Sequence, residues 1–229
     1  MIVYPHSYLK NPKIVQYASN ASSATSATSY TFPNMNYIGP GYIVVGTVSQ
    51  VASGNLAAGT CTIGGVSMNN IGTGTFVTTS RIRMTFWGIQ VNSGTQANIV
   101  WTSPGPTCIN CGIGVWRLQN ASQIAGQNFA GSSTFGAILS NSITNNVVGG
   151  AVTISMMAQS LPNGATSSDQ IWINPKTQPQ FSNNVIEVFD FNLGFGGTST
   201  IIQETGTFTL QGFTQTSTFF NLMGTIMVR

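Results

Sequence analysis

Charged residues are rare in this sequence. Only 5% of the 229 residues are charged, with seven Lys and Arg against four Asp and Glu and a formal net charge of +3. A typical soluble domain has roughly 25% charged residues. Disordered chains combine low hydrophobicity with high net charge, whereas hydrophobic residues make up 41% of this chain. We therefore expect a folded protein whose surface consists largely of neutral amides and hydroxyls.

A cluster of basic residues is also missing. Nucleic-acid binding through counterion release needs a stripe of Lys and Arg on one face. The cations of this chain are instead scattered over Lys10, Lys13, Arg81, Arg83, Arg117, Lys176 and Arg229. The sequence therefore predicts no direct contact with nucleic acid.

Long hydrophobic runs are absent as well. The longest are YIVVGTV at 42–48 and VVGGAVTISMMA at 147–158, which fall short of the ~20 residues of a transmembrane helix. The segment MIVYPHSYLKNPK has no apolar stretch of the length found in signal peptides. We predict neither a membrane span nor a secretory leader.

Residues for acid–base catalysis are few. His6 is the only histidine, which rules out a triad or metal cluster built on several histidines of one chain. The four acids are Asp169, Glu187, Asp190 and Glu204. Glu187 and Asp190 are three apart in a strand-like run, so their side chains should point to opposite faces and make a poor glycosidase pair. We predict that the chain is not an enzyme, with these acids at the surface or paired with arginines.

The three cysteines are Cys61, Cys108 and Cys111, and CINC has the CxxC spacing. A zinc site usually needs a second such pair, and a redox motif needs a helix at the first cysteine, whereas here the second cysteine opens a strand-like run. Buried thiols or a single disulfide are favoured over a composite site with His6. The glycine-rich stretches GIGV (112–115) and GFGG (194–197) lack the Lys-Ser/Thr of a phosphate loop and are interpreted as turns and bulges. We predict no metal and no cofactor.

Short strand-like runs dominate the rest of the sequence. In RIRMTFWGIQV, Ile82, Met84 and Phe86 alternate with Arg81, Arg83 and Thr85, which is typical of a half-buried strand. Similar runs separated by Gly, Asn, Ser and Pro predict strands near 29–35, 42–51, 60–71, 81–91, 97–103, 111–119, 150–159, 184–193, 208–213 and 218–229. Residues 120–146 are predicted as a loop or short helix. The pattern indicates an all-β fold, a single antiparallel, jelly-roll-like β-sandwich of about ten strands.

The organisation along the chain is simple. Residues 1–29 contain Pro5, Pro12 and the polar run NASSATSATS, which predicts an extended arm and linker. Residues 30–229 show neither a repeat nor a second boundary and are predicted to form one sandwich domain. Three of the four tryptophans, Trp87, Trp101 and Trp116, lie in strand-like runs, so core packing is favoured over a sugar-binding platform that would include Trp172.

The central part of the chain resembles a known group of proteins. TSYTFPNMNYIGPGYIVVGTVSQVASG, TCTIGGVSMNNI, ANIVWT, CGIGVWRLQN and VVGGAVTISMMAQ are similar, in order and spacing, to β-sandwich proteins encoded among the virion genes of tailed bacteriophages. The resemblance covers about residues 28–160. It implies a non-catalytic component of the capsid surface or tail, located in the virion after assembly in the host cytoplasm.

The favoured hypothesis is a capsid decoration or cement protein that forms homo-oligomers and contacts the major capsid protein. A surface with few charges costs little free energy to desolvate, which favours a large neutral interface. An extended arm spans ~3.3 Å per residue and can therefore reach a neighbouring subunit. The first alternative is a tail, baseplate or fibre component. A second is a carbohydrate-binding adhesin using Trp172 or Tyr37 with nearby amides, and a third is a hydrolase acting on surface polysaccharide.

Overall fold

The structure, a computed structural model, describes residues 14–23, 25–51, 57–77, 81–105, 107–121, 124–132, 140–147, 151–160, 170–173, 184–186, 193–201, 206–214 and 220–229. All named elements in these ranges are β-strands, and they pair antiparallel. The predicted all-β, antiparallel class is confirmed. Within the same ranges, no helix has the length and hydropathy needed to cross a bilayer.

The strands follow one another in short steps along the chain. They are β1 Ile14–Ser23, β2 Ser29–Asn36, β3 Gly41–Val51, β4 Thr60–Ile63, β5 Val66–Ser67, β6 Asn69–Val77, β7 Arg81–Val91, β8 Gln96–Thr102, β9 Cys108–Gln119, β10 Ile124–Ser132, β11 Ser140–Val147, β12 Val152–Ser160, β13 Gln170–Ile173, β14 Asn184–Ile186, β15 Leu193–Ile201, β16 Gly206–Thr214 and β17 Phe220–Val228.

These strands form four sheets. The central sheet has the order β1-β9-β3-β7-β6, the upper sheet β2-β8-β4-β5, and the lower sheet β10-β17-β12-β15-β14. A fourth, three-stranded sheet has the order β11-β16-β13 and is tied to β10 by a hydrogen bond from Asn128 Nδ2 to the Thr144 carbonyl oxygen, 3.2 Å.

The central sheet is covered on both faces. One hydrophobic core lies between it and the lower sheet, and a second lies between it and the upper sheet. All eleven residues of β3 are therefore buried, which explains why GYIVVGTVSQV is a nearly continuous apolar run rather than an alternating one. The described residues thus stack at least three sheets around two cores, where the sequence predicted one sandwich with one core.

Strand β7 shows the consequence of this stacking. The predicted alternation is present, since Ile82, Met84 and Phe86 face the lower core while Arg83 and Trp87 face the upper sheet. The prediction that the second face is exposed is wrong, because Arg83 is 1% exposed. A strand pattern predicts which side chains share a face, but not whether a second sheet covers that face.

Glycines allow the central and lower sheets to approach each other. The indole of Trp116 lies against Gly46 and Gly114 of the central sheet and Gly197 of the lower sheet; a Cβ on Gly197 would be 2.7 Å from Cζ2 of the ring. The glycines of GIGV and GFGG lie within β9 and β15. Their interpretation as turns is wrong, because they lie in strands where the opposing sheet has large side chains.

The predicted arm and linker, residues 1–29, contains a strand. β1 pairs with β9 from Ile14↔Gln119 to Ser23↔Cys111, and Tyr17 packs edge-on against Trp116 with ring centroids 6.2 Å apart. The small polar residues of β1 resemble a linker in sequence but form an edge strand whose side chains are half-buried or exposed. Residues 1–13 lie outside the described residues.

Other strand predictions also need correction. Seventeen strands are present in the described residues, against about ten predicted. The segment predicted as loop or short helix, 120–146, contains β10 and β11, and the run predicted at 60–71 is divided between β4, β5 and the start of β6. The division occurs at the TIGGV hairpin, where Gly64 and Gly65 have φ of 56° and 82°, the conformation that a two-residue type I′ turn needs.

Candidate functional site

The structure does not describe the histidine and the four acids that were considered for catalysis. His6, Asp169, Glu187, Asp190 and Glu204 all lie outside the described residues. The prediction that the chain is not an enzyme therefore stays a prediction.

The tryptophans in strands are core residues, as predicted. Trp87, Trp101 and Trp116 are at most 2% exposed. The indole N–H of Trp87 donates to Thr47 Oγ1 at 3.0 Å, and that of Trp101 donates to the Ala58 carbonyl oxygen at 3.3 Å. These rings are not available to stack on a sugar.

Tyr37, the other aromatic residue of the carbohydrate hypothesis, is also buried. It is 8% exposed and packs in the upper core, and its hydroxyl donates to the Ser93 carbonyl oxygen at 3.4 Å. Trp172 lies on β13. The described structure therefore offers no support for a sugar platform on Tyr37.

The three cysteines contribute to one core. Cys108 and Cys111 are an odd number of residues apart, yet both face the upper sheet because a bulge separates the pairs Val51↔Cys108 and Gln50↔Asn110. Cys61 joins the same core from β4. All three are free, buried thiols, which agrees with the first of the two alternatives that the sequence left open.

A buried arginine adjoins these thiols. The Arg83 guanidinium donates to Ser49 Oγ at 3.2 and 3.3 Å and to the carbonyl oxygen of Ala57, and its Nη2 lies 3.8 Å from Cys108 Sγ. Its Cζ lies 4.8 Å from the centroid of the Trp101 ring, a cation–π geometry. Among the described residues, the cation is thus held by neutral acceptors and a ring face.

The electrostatics of this cluster suit packing rather than reaction. Burial raises the pKa of Cys61 to about 12 and the pKa of Cys111 well above its ordinary value. Burial also raises the pKa of Cys108, although Ser103 and Arg83 act in the opposite direction. Protonated thiols are poor nucleophiles and poor metal ligands, and the described residues contain no group of three His, Cys, Asp or Glu that could hold a metal ion.

At one end of the central and upper sheets, two loops are joined by hydrogen bonds and expose an apolar side chain. There the β2–β3 loop (37–40) and the β7–β8 loop (92–95) are joined by hydrogen bonds from the Tyr37 N–H to the Thr95 carbonyl oxygen, 3.0 Å, and from Gly39 to Gly94, 2.6 Å. Ile38, between them, is 44% exposed and has φ of 44°. A β-branched residue in the left-handed region costs about 1–3 kcal/mol and persists only where its surroundings fix it.

Two further large apolar side chains of the described residues are exposed. Ile14, at the start of β1, is 47% exposed, and Val66, directly after the Gly64-Gly65 turn, is 58% exposed. The guanidinium of Arg117 donates to the Pro40 carbonyl oxygen at 2.9 and 3.1 Å. We call the surface formed by Ile38, the two joined loops and Arg117 the loop pole.

The loop pole was not predicted from the sequence. Ile38 and Val66 each stand beside glycines in a turn, and an isolated apolar residue in a turn is common on protein surfaces. The available signal was the Tyr-Ile-Gly-Pro order at 37–40, since an isoleucine directly before Gly-Pro has no strand neighbour to pack against.

Comparison with known proteins adds no identification: no protein-family model, no curated protein and no solved structure matches this chain. The resemblance to phage virion proteins stays a prediction.

Proposed function

We propose that this protein is a structural, non-catalytic component of a virus particle, a capsid decoration or cement protein that works by contact with copies of itself and with the shell. Its place would be the virion, assembled in the host cytoplasm. The proposal includes a jelly-roll-like arrangement of the sandwich and a contribution of the N-terminal arm, predicted at residues 1–29, to binding on the particle.

The observation that carries the proposal is that the cysteines and Arg83 are buried and serve packing inside the fold. In the described ranges, the three thiols are buried and Arg83 is bonded to Ser49 and Ala57, so its guanidinium is not displayed to a substrate. The described surface is formed mainly by hydroxyl, amide and small apolar side chains. Such a surface costs little to desolvate, because burying an unpaired charge costs far more than burying an amide that finds a hydrogen bond.

The edge strand β1 supports the same proposal. Among the strands that the structure describes, β1 pairs only with β9, and β5 pairs only with β4. Monomeric proteins protect such edges with lysines, prolines, inward-facing charges or very short edge strands. The ten-residue strand β1 is not short and contains none of these residues. An assembly protects an edge by adding a neighbour's strand or loop.

The experiment is gene disruption with add-back. Particles assembled without the protein should lose contents at a lower temperature than normal particles, and purified protein added back should restore their resistance. Immunogold labelling then shows whether the protein lies on the head, as proposed, or on the tail, baseplate or fibre. Particles that never contain the protein, as judged by mass spectrometry, would contradict the proposal, and specific binding on a glycan array would favour the adhesin alternative.

Add-back also tests the arm. Protein lacking residues 1–13 keeps β1 paired with β9, and we expect it to fold and to bind particles more weakly. Removal of residues 1–29 would be a poor test, since it also removes β1 from the central sheet. Equal binding of the protein lacking residues 1–13 would refute the role of the arm alone.

A further inference from the structure

A short segment before strand β4 is fastened by side chains from two different sheets. Residues 57–59 have no regular secondary structure, and Ala57 is exposed. The Ala57 carbonyl oxygen accepts a hydrogen bond from the guanidinium of Arg83 on β7, and the Ala58 carbonyl oxygen accepts one from the indole N–H of Trp101 on β8 at 3.3 Å. Ala58 also packs against the upper core. We call residues 57–59 the strap, because these bonds hold them over the end of that core.

The strap fits closely against the last residue of β8. Gly59 has φ of 82°, and a Cβ at this position would overlap the carbonyl oxygen of Thr102. Glycine meets both conditions without strain, whereas a side chain disfavours the left-handed region and would collide with the strand. The closed position of the strap therefore depends on one backbone position as well as on the two hydrogen bonds.

The thiol of Cys108 lies beneath the strap. Nη1 of Arg83 donates to the Ala57 carbonyl oxygen, and Nη2 of the same guanidinium lies 3.8 Å from Cys108 Sγ. The guanidinium thus lies between the thiol and the exposed strap. Cys108 is the first residue of β9 and directly follows the exposed Thr107. Release of the strap therefore uncovers the guanidinium and the thiol together.

The three buried thiols differ in their surroundings. Cys61 Sγ lies 3.8 Å from the thioether sulfur of Met68, and Cys111 lies three residues further along β9. In the described structure, Cys108 is the cysteine whose sulfur is within hydrogen-bonding distance of Arg83, and this cation opposes the rise that burial causes in the pKa of Cys108. A neighbouring arginine stabilises a thiolate, which is the nucleophile in thiol–disulfide exchange. Cys108 is therefore the thiol best prepared to react once water reaches it.

Opening of the strap costs far less than unfolding. It breaks the hydrogen bonds to Ala57 and Ala58, while the strand pairing of the central and upper sheets and the bonds of Arg83 to Ser49 are kept. Proteins open locally with free energies well below that of global unfolding where few contacts have to be broken. The open state is therefore populated more often than the unfolded state.

We propose that the strap opens locally and that the opened site takes a small-molecule disulfide, with which Cys108 forms a mixed disulfide. The Cys108 thiol loses its proton to water, and the thiolate attacks one sulfur of the small molecule. The S–S bond of that molecule breaks, one half leaves as a thiolate, and the other half stays bonded to Cys108. Excess free thiol reverses the step. The adduct fills the space beneath the strap and holds it open, which makes the site a reversible redox switch.

The experiment is thiol labelling of the purified, folded full chain with excess DTNB, an aromatic disulfide whose released thiolate absorbs visible light. Peptide mass spectrometry identifies the labelled cysteine. Cys108 should react at least about tenfold faster than Cys61 and Cys111, because local opening precedes unfolding. Its rate should change little with urea below the unfolding transition, since local opening exposes little surface. Oxidised glutathione should form the same adduct, and dithiothreitol should remove it.

Gly59→Ala tests the strap without changing a cysteine or the arginine. The added methyl group has to displace the strap from Thr102, so Cys108 should react at least about fivefold faster than in the wild-type protein. Gly65→Ala is the matched control, because Gly65 also has φ of 82° but a Cβ there meets nothing within 4 Å. It should leave the labelling rate of Cys108 unchanged.

A second pair of variants decides the matter if Gly59→Ala folds poorly. Trp101→Phe removes the indole N–H that donates to the Ala58 carbonyl oxygen, and it should speed the labelling of Cys108 about tenfold. Trp87→Phe removes an indole N–H from the same core, where it donates to Thr47 Oγ1 at 3.0 Å. This control should not speed the labelling, because Trp87 does not hold the strap.

Labelling of all three cysteines at one rate would overturn the inference, and so would a urea dependence of the Cys108 rate as steep as that of global unfolding. Either result would mean that the thiol is reached only in the unfolded chain. Equal acceleration by each variant and its control would also overturn it, because the strap would then have no special role. The inference does not rest on the proposed function, since every measurement is made on the purified protein.

Discussion

The packing of Trp116 between two sheets gives the sharpest test of the layered architecture. A Cβ on Gly197 of the lower sheet would lie 2.7 Å from Cζ2 and 3.0 Å from Cη2 of the indole, and 3.1 Å from the Ser155 carbonyl oxygen. The ring cannot retreat freely, because Gly46 and Gly114 of the central sheet already lie close to its other atoms. Gly197→Ala should therefore destabilise the protein by about 1–3 kcal/mol, the usual cost of overpacking a core.

A double-mutant cycle identifies the cause. Trp116→Phe alone should cost about 2–4 kcal/mol through lost burial and a residual cavity, but it removes the ring atoms that the new methyl group meets. The two substitutions together should thus cost at least ~1 kcal/mol less than the sum of the single costs. Stability is measured by urea unfolding followed by far-UV circular dichroism, which does not depend on the removed indole.

Gly105→Ala provides the control, because a Cβ at Gly105 meets nothing within 4 Å. It should change stability by less than ~0.5 kcal/mol. A harmless Gly197→Ala, or strictly additive costs for Gly197→Ala and Trp116→Phe, would refute the packing of the lower sheet against the central one through this ring.

Three further predictions concern the core and the edge. Burial raises the pKa of Cys61 from 9.0 to about 12, so its protonated thiol stabilises the fold below pH 9 and this contribution is lost as pH rises from 9 towards 12. About 1.4 kcal/mol of the free energy of unfolding should be lost at pH 10. Cys61→Ala should therefore lose less stability between pH 8 and pH 10 than the wild-type protein. Removal of residues 1–13 should leave the unfolding midpoint nearly unchanged, whereas removal of residues 1–23 should lower it strongly because β1 is lost. Arg83→Lys should cost about 2–3 kcal/mol, since lysine cannot reproduce the forked donation to Ser49 and Ala57 in a buried site, while Arg117→Lys at the exposed pole should cost less than ~1 kcal/mol.

Each of these three predictions can be contradicted by a specific result. Equal pH dependence in Cys61→Ala and wild-type protein would mean that the thiol is not protected by burial. Equal midpoints for the two deletions would mean that β1 does not support the central sheet. Equal costs at Arg83 and Arg117 would show that the buried guanidinium is accessible to water.

The sequence predicted the class of fold and several strands, but not how the sheets stack. Alternation in β7 correctly assigned Ile82, Met84 and Phe86 to one face, because side-chain direction follows from the strand itself. Burial of Arg83 on the other face depends on the upper sheet, which no local pattern encodes. β3 carried the available clue, since a nearly continuous apolar run indicates a strand covered on both sides.

Strands built from small residues were the hardest to predict. β1 was taken for a linker, and the glycines of β15 were taken for a turn, because both segments lack large apolar side chains of their own. Their role becomes clear only beside the opposing sheet, where Gly197 leaves room for Trp116 and Tyr17 packs on the same ring. The loop pole was missed for a related reason, since Ile38 and Arg117 are far apart in sequence and are brought to one end by the pairing of β3 with β9.

The most direct test of the central claim, that contact with neighbours is the function of this protein, is its copy number in purified virus particles. Quantitative mass spectrometry with isotope-labelled reference peptides gives that number. The proposal predicts many copies per particle, in a fixed ratio to the major capsid protein and unchanged by repeated purification. Absence from the particles, or a trace amount that falls with each purification step, would contradict it.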